Sequence, residues 1–113
     1  MIDMIKKLFI LVLICYAAAG AQQLQHFTFT SNTGNNGIVS LPGSVVPKVN
    51  NQAIEVGDEI GVFTAEGLCV GAVVWSGNNT GITVWGDNDR TPAKDGLAPN
   101  EKMEYRIWKK SLN

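Results

Sequence analysis

The chain has 113 residues, with 9 Lys+Arg against 10 Asp+Glu, 2 Cys and 1 His. Those figures allow one small domain and exclude a strongly charge-driven partner, nucleic acid or an anionic membrane in particular. The apolar residues are unevenly spread: 17 of 51 fall in the first 21 positions, and the other 92 residues hold 34, an ordinary share for a globular domain.

The first element is a leader over residues 1–21. Lys6 and Lys7 precede an apolar run over 8–16, and small residues follow over 17–21. That order is a secretory signal peptide, and Ala19 with Ala21 places cleavage before Gln22. A retained spanning helix needs about 20 predominantly apolar residues, more than this run supplies. Cys15 does not read as a lipidation site, because Ile14 stands where a lipoprotein peptidase requires a small residue. Cleavage leaves Cys69 as the single cysteine, so no internal disulfide is expected even though export leads to a compartment that permits one.

The body beyond Gln22 has the composition of an all-β chain: Val, Ile and Thr total 22 against 5 Leu, and Gly with Asn contributes 21. Branched side chains suit a pleated surface, and Gly and Asn tolerate the positive φ of tight turns. Residues 26–30 alternate with Phe27 and Phe29 on one face, and the turn-rich 31–37 joins them to 38–41 as a hairpin with Asn36 and Gly37 near its tip. Residues 44–49 contain Pro47, which argues for a sheet edge. Asn50 and Asn51 turn the chain into the short strand 52–56.

Gly57 and Asp58 introduce a strand over 59–64, and Ala65, Glu66 and Gly67 turn it into 68–75. That segment is apolar on both faces and is expected to be the central strand. Residues 80–85 form the next strand, a long loop spans 86–100, and 102–108 alternates Met103, Tyr105 and Ile107 against Lys102, Glu104 and Arg106. Seven or eight short strands imply an antiparallel β-sandwich of the immunoglobulin-like or jelly-roll-like kind, a single module over 22–113.

The segments Gly57-Asp58-Glu59-Ile60-Gly61-Val62-Phe63-Thr64, Gly67-Leu68-Cys69-Val70-Gly71-Ala72, Trp75, Thr83-Val84-Trp85-Gly86-Asp87-Asn88 and Lys94-Asp95-Gly96 carry a resemblance. Together they resemble a β-sandwich module, often repeated, in large surface or secreted proteins that gliding Gram-negative bacteria export by the type IX route. The resemblance extends from about residue 26 to residue 113 and implies export and a surface setting, without assigning a ligand to any residue. Modules of that kind run on into further β structure and sit in longer chains with a C-terminal sorting domain. The expectation is therefore a C-terminally truncated module, a fragment of a larger protein.

Several groups of residues invite chemistry. Asp87, Asn88, Asp89, Thr91 and Asp95 present oxygens at alternating positions, and calcium takes six to eight such ligands. The segment is not an EF-hand, since Pro92 and Ala98 stand where that loop needs Gly and Glu. The alternative is a solvated loop whose side chains bond nearby amides.

Trp75, Trp85 and Trp108 each fall near a strand end. Trp75 lies on the face opposite Leu68, Val70 and Val74, Trp85 opposite Ile82 and Val84, and Trp108 opposite Met103 and Ile107. If those apolar faces are the core, the three rings form an aromatic surface for stacking on sugars. The alternative is that they close the core or its rim.

Cys69 with His26 would make a nucleophile and base only in an exposed cleft, and Cys69 in an apolar strand reads as a small buried hydrophobe. Glu55, Asp58 and Glu59 offer carboxylates for glycoside hydrolysis, but Gly57-Asp58 fits a turn better than a cleft. Asn78-Asn79-Thr80 is a glycosylation acceptor in spelling only. No phosphate-cradling, zinc or haem motif occurs.

The sequence thus implies an exported, non-catalytic module of a secreted or cell-surface protein. Its expected partners are an extracellular polysaccharide, a surface protein or neighbouring modules of a larger chain, with calcium as the one cofactor candidate. The rival is a ligand-free spacer attached to a secreted enzyme.

Overall fold

The computed structural model describes residues 23–112. The expected signal peptide over 1–21, its Cys15 and the cleavage point before Gln22 lie outside the described residues. Seven strands follow in order: β1 (Asn36–Leu41), β2 (Lys48–Val49), β3 (Gln52–Ala53), β4 (Glu59–Phe63), β5 (Cys69–Val74), β6 (Thr80–Trp85) and β7 (Glu104–Trp108). A 3₁₀ turn over Lys110–Leu112 ends the described chain.

The all-β expectation holds, and every strand pairing is antiparallel. The strands form three sheets: β1 with β6, β2 with β3, and β5-β4-β7. Ile82 and Val84 of β6 share one core with Ile60 and Val62 of β4, Val70 of β5, Trp75 and Ile54. Fully burying each such side chain contributes about 1.5–3 kcal/mol, so this cluster dominates the favourable side of folding. Among the described residues no buried side-chain polar atom lacks a hydrogen-bond partner.

Local chemistry explains the short hairpins. Asn50 and Asn51 both take positive φ, 52° and 66°, between β2 and β3, as a two-residue turn matching the strand twist requires. Gly67, at φ 93°, turns β4 into β5, and Leu68 donates its N–H to the Thr64 hydroxyl at 3.1 Å.

Two expectations about pairing are corrected. Residues 26–30 are not a strand and make no hairpin with 38–41; β1 pairs instead with β6, Ile38 opposite Thr83 and Val39 opposite Ile82. The turn-rich segment before β1 is real, with Asn32 and Gly34 at positive φ, but it redirects the chain away from 26–30. Asn36 and Gly37 open β1 rather than forming a hairpin tip.

The middle strand of the three-stranded sheet is β4, not β5. All five residues of β4 are buried because both its faces are covered. Ile60 and Val62 face the core, while residues 25–27 cross the other face above Gly61, where a methyl group would come within 3.0 Å of the Phe27 ring.

A β-bulge decides the parity of β5. Val62 pairs with Gly71, yet Phe63 pairs with Cys69, which leaves Val70 as the extra residue. Beyond the bulge Ile60 pairs with Val73, and the Trp75 N–H donates to the Asp58 carbonyl at 2.7 Å. Trp75 therefore shares the core face with Val73 instead of standing opposite it.

Candidate binding cleft

A cleft of about 570 Å³ opens beside the start of β1. Residues 35–39 line it together with Leu97, Pro99 and Met103, and Asp87 and Asp89 add carboxylates. Both outward residues of β1 (Asn36, Ile38) and inward ones (Gly37, Val39) contribute, which places the cleft at the edge of that strand. Among the described residues no Lys, Arg or His lines it. Its size falls within the range of small-ligand and peptide-anchor sites.

The cleft is held in shape from the loop side. The Thr33 hydroxyl, 6 % exposed, donates to the Gly86 carbonyl at 2.5 Å, and the Gly86 N–H donates to the Asn35 carbonyl at 3.1 Å. Leu97 donates to the Trp85 carbonyl at 3.0 Å, and Asp87 donates to the Leu97 carbonyl at 2.8 Å. The loop between β6 and β7 is thereby sewn to the end of β6 through one parallel bridge, Gly86 with Leu97.

Inside the loop the carboxylates look inward. The Asp95 N–H donates to Asp87 Oδ1 at 2.8 Å, and the Asn88 N–H donates to Asp95 Oδ1 at 2.9 Å. The Asn88 amide, followed by the Asp87 and Thr91 side chains, holds the Asp95 carboxyl below its ordinary value. Thr91 donates to the Asn88 carbonyl at 2.7 Å, and the Arg90 N–H donates to Asn88 Oδ1 at 3.0 Å. Asp89 makes no hydrogen bond among the described residues and is exposed. Lys94 closes on Glu101 at 2.6 Å, which raises the Lys94 ammonium and lowers the Glu101 carboxyl. Of the expected calcium ligands, Asp87, Asn88, Asp89, Thr91 and Asp95, four are thus tied into the loop's own turns. Among the described residues no three His, Cys, Asp or Glu side chains form a metal-sized group.

The three tryptophans part company. Trp75 is 2 % exposed within the core, so it is no part of an aromatic surface; the bulge in β5 is the reason. Trp85 is half-buried on the outer face of the β1/β6 sheet, directly opposite Asn36 at the rim of the cleft. Trp108, also half-buried, lies under the His26 ring, stacked at 5.1 Å and 4°.

His26 and Cys69 are not joined by a hydrogen bond among the described residues. Cys69 is buried, with Sγ 3.5 Å from the Gly71 carbonyl, and burial pushes its thiol up. The acidic trio also serves the fold. Asp58 is 2 % exposed and accepts from the Glu55 and Lys110 amides at 2.8 and 3.0 Å and from the Lys109 ammonium at 2.8 Å. Glu59, 1 % exposed, accepts the N–H groups of Gln25, His26 and Phe27 at 2.6 to 3.2 Å. Glu55 itself is exposed.

Sequence reasoning did not single out Asn35, Asn36, Ile38, Leu97, Pro99 or Met103. One signal was present: Asn36–Leu41, NGIVSL, is a strand with neither a charge nor a proline, the devices that normally protect an exposed edge. Comparison of the chain with known families, characterised proteins and solved structures finds no match to any of them.

Proposed function

We propose that the chain is an exported, non-catalytic module of two-layer β-sandwich type that binds an extended polymer outside the cell or at its surface. The cleft beside β1 carries this reading. It combines an apolar lining (Ile38, Val39, Leu97, Met103) with a few oriented polar groups (Asn35, Asp87), the mix that ligand sites use to gain area and fix orientation. Trp85 beside Asn36 adds an aromatic flank suited to stacking. The expected leader over 1–21 and the sequence resemblance to type IX surface modules are the grounds for an extracellular setting.

The setting of the acidic groups supports the non-catalytic reading. Asp58 and Glu59 are buried and accept hydrogen bonds from backbone amides, Asp58 also from Lys109, and Cys69 is buried with its Sγ on the Gly71 carbonyl. Binding would be reversible recognition by contact and hydrogen bonding.

A ligand-free spacer is the second reading, favoured by the burial of Trp75 and the stacking of Trp108 under His26. Glycan and peptide arrays probed with the full chain separate the two. Binding that is lost in Trp85→Ala, with unchanged unfolding, supports the binding module. Silence on both arrays leaves the spacer.

A further inference from the structure

The hydrogen-bond phase of the β1/β6 ladder identifies which backbone groups of β1 are free. Asn36 lies opposite Trp85, and the Gly86 N–H donates to the Asn35 carbonyl across that pair at 3.1 Å. In an antiparallel ladder this makes Asn36 and Trp85 a non-hydrogen-bonded pair. Gly37, Val39 and Leu41 therefore exchange hydrogen bonds with β6, while Asn36, Ile38 and Ser40 turn their N–H and C=O groups away from it. Among the described residues those groups meet no partner, and β1 has no second neighbour in its sheet.

Unpaired strand edges invite pairing, and folded proteins blunt them with lysine, proline, bulges or a covering loop. Among the described residues this edge has no lysine, no proline and no bulge. Its ladder is regular, its six residues are uncharged, and the Ile38 side chain is 69 % exposed. The cleft of about 570 Å³ runs against Asn36 to Val39, the first two-thirds of this edge, and leaves room there for another strand.

We infer that the cleft takes an extended polypeptide segment bearing a lysine or arginine, added as a strand antiparallel or parallel to the free edge of β1. This inference rests on the binding-module reading above and names its partner class. The main-chain groups of Asn36, Ile38 and Ser40 supply the ladder, and alternate side chains of the segment settle against Ile38 and Met103. Asp89, exposed, and Asp87 give the cleft a negative sign, and among the described residues no basic side chain lines it. That sign selects a basic segment and works against a second copy of this chain, which would bring its own pair of carboxylates to the same place and whose formal net charge is −1.

The test titrates the isotope-labelled full chain with a capped hexapeptide of alternating threonine and valine carrying one central lysine, and follows amide hydrogen exchange. The expected result is new protection at Asn36, Ile38 and Ser40 with Gly37, Val39 and Leu41 little changed. N-methylation along one edge of the peptide abolishes binding, and along the other edge it does not. Asp89→Asn weakens the lysine peptide about 2–5-fold, the range of an exposed ion pair, and leaves a glutamine version of the peptide unaffected.

Ile38→Pro removes one outward N–H and no bond to β6, so it blocks uptake; should that variant fail to fold, Ile38→Lys places a charge on an already exposed side chain and blocks the same edge. Peptide binding without protection at the three outward amides overturns the inference. So does concentration-dependent dimerisation through this edge. A glycan that fills the cleft while the peptide is ignored overturns strand addition and leaves the binding module standing, and silence toward glycan and peptide alike overturns both.

Discussion

The Glu59 carboxylate accepts the main-chain N–H of Phe27 at 3.0 Å across 32 positions of sequence, and so fixes the segment before β1 to the middle strand of the three-stranded sheet. The N–H groups of Gln25 and His26 converge on the same carboxylate, which among the described residues accepts no hydrogen bond from a side chain. Once anchored, Phe27 meets Phe63 edge-on at 5.3 Å and His26 stacks on Trp108. Hydrogen bonds to a charged acceptor contribute more than neutral ones, about 1.5–3 kcal/mol each time a partner is removed. Glu59→Gln is isosteric but turns an amide NH₂ toward the donated N–H groups. It is expected to cost about 1.5–3 kcal/mol in urea unfolding and to make the chain before Phe27 sensitive to protease under native conditions. Equal stability and equal cleavage in the variant would remove the anchor.

Asp58 does for the other end of the chain what Glu59 does for the first. Burial on its own would raise the Asp58 carboxyl, but the Lys109 ammonium and the amides of Glu55 and Lys110 outweigh it and leave it below its ordinary 3.8. A carboxyl lowered in the folded state stabilises above the unfolded value and loses that contribution as pH falls through the folded one. Acid unfolding is therefore expected to set in below about pH 4, the ordinary Asp range. In Lys109→Met the lowering effect of the ammonium is lost, the carboxyl rises, and the acid limb moves to higher pH. The stability lost at neutral pH is expected to be about 1–3 kcal/mol, less than for a fully buried pair because Lys109 keeps 18 % of its side chain exposed. Stability curves against pH for the two proteins, superimposed at the acid end, would refute the pairing.

Gly71 is where β6 crosses β5. A methyl group there would run into the Thr83 carbonyl and come within 3.3 Å of the Val84 backbone, neither of which can swing aside. Gly71→Ala is expected to push β6 off the core and cost about 1–3 kcal/mol by overpacking. Gly37→Ala is the control, since nothing lies within 4 Å of its added carbon. Thermal unfolding of the pair checks the contrast, and equal midpoints would contradict the close approach.

The parts of this fold visible in the sequence are those set by neighbouring residues. The strand over 80–85 was expected with the limits that β6 has, and its inward Ile82 and Val84 against an outward Trp85 follow from simple alternation. Asn50 and Asn51 announced their turn. What escaped is non-local. Nothing near Ile38 says that its neighbour is Thr83 rather than Phe27, and nothing in Leu68 to Trp75 says that the ladder slips at Val70 and carries Trp75 inward. The cleft escaped for the same reason, since it joins Asn35 to Met103 through that pairing. Asp58 and Glu59 stand out in the sequence as carboxylates, but their role depends on segments that only the fold brings to them.

The contrast between Trp75 and Trp108 tests that slip. Trp75→Ala empties the centre of the core and is expected to cost about 3–5 kcal/mol. Trp108→Ala loses a half-exposed stack on His26, and the expected cost is about 0.5–1.5 kcal/mol. Fluorescence adds an independent reading: acrylamide should quench Trp108 and Trp85 well before Trp75. If Trp75 is the ring most open to quencher, β5 has the opposite parity and the bulge at Val70 is absent.

The loop between β6 and β7 stands on its own hydrogen bonds. Asp87 and Asp95 each hold the other's segment by accepting a main-chain N–H, at 2.8 and 2.9 Å, and Thr91 spans the turn between them. Asp87 and Asp95 each commit Oδ1 to a main-chain amide and Thr91 bonds Oδ2 of Asp95, so the loop holds its shape with its own donors. Melting midpoints in excess calcium and in excess chelator are accordingly expected to coincide. An ion that binds the native loop must raise the midpoint as its concentration rises above its dissociation constant. A calcium-dependent rise that disappears in Asp87→Ala would show that the loop rearranges around a metal, with Asp89, now unbonded, as the first additional ligand.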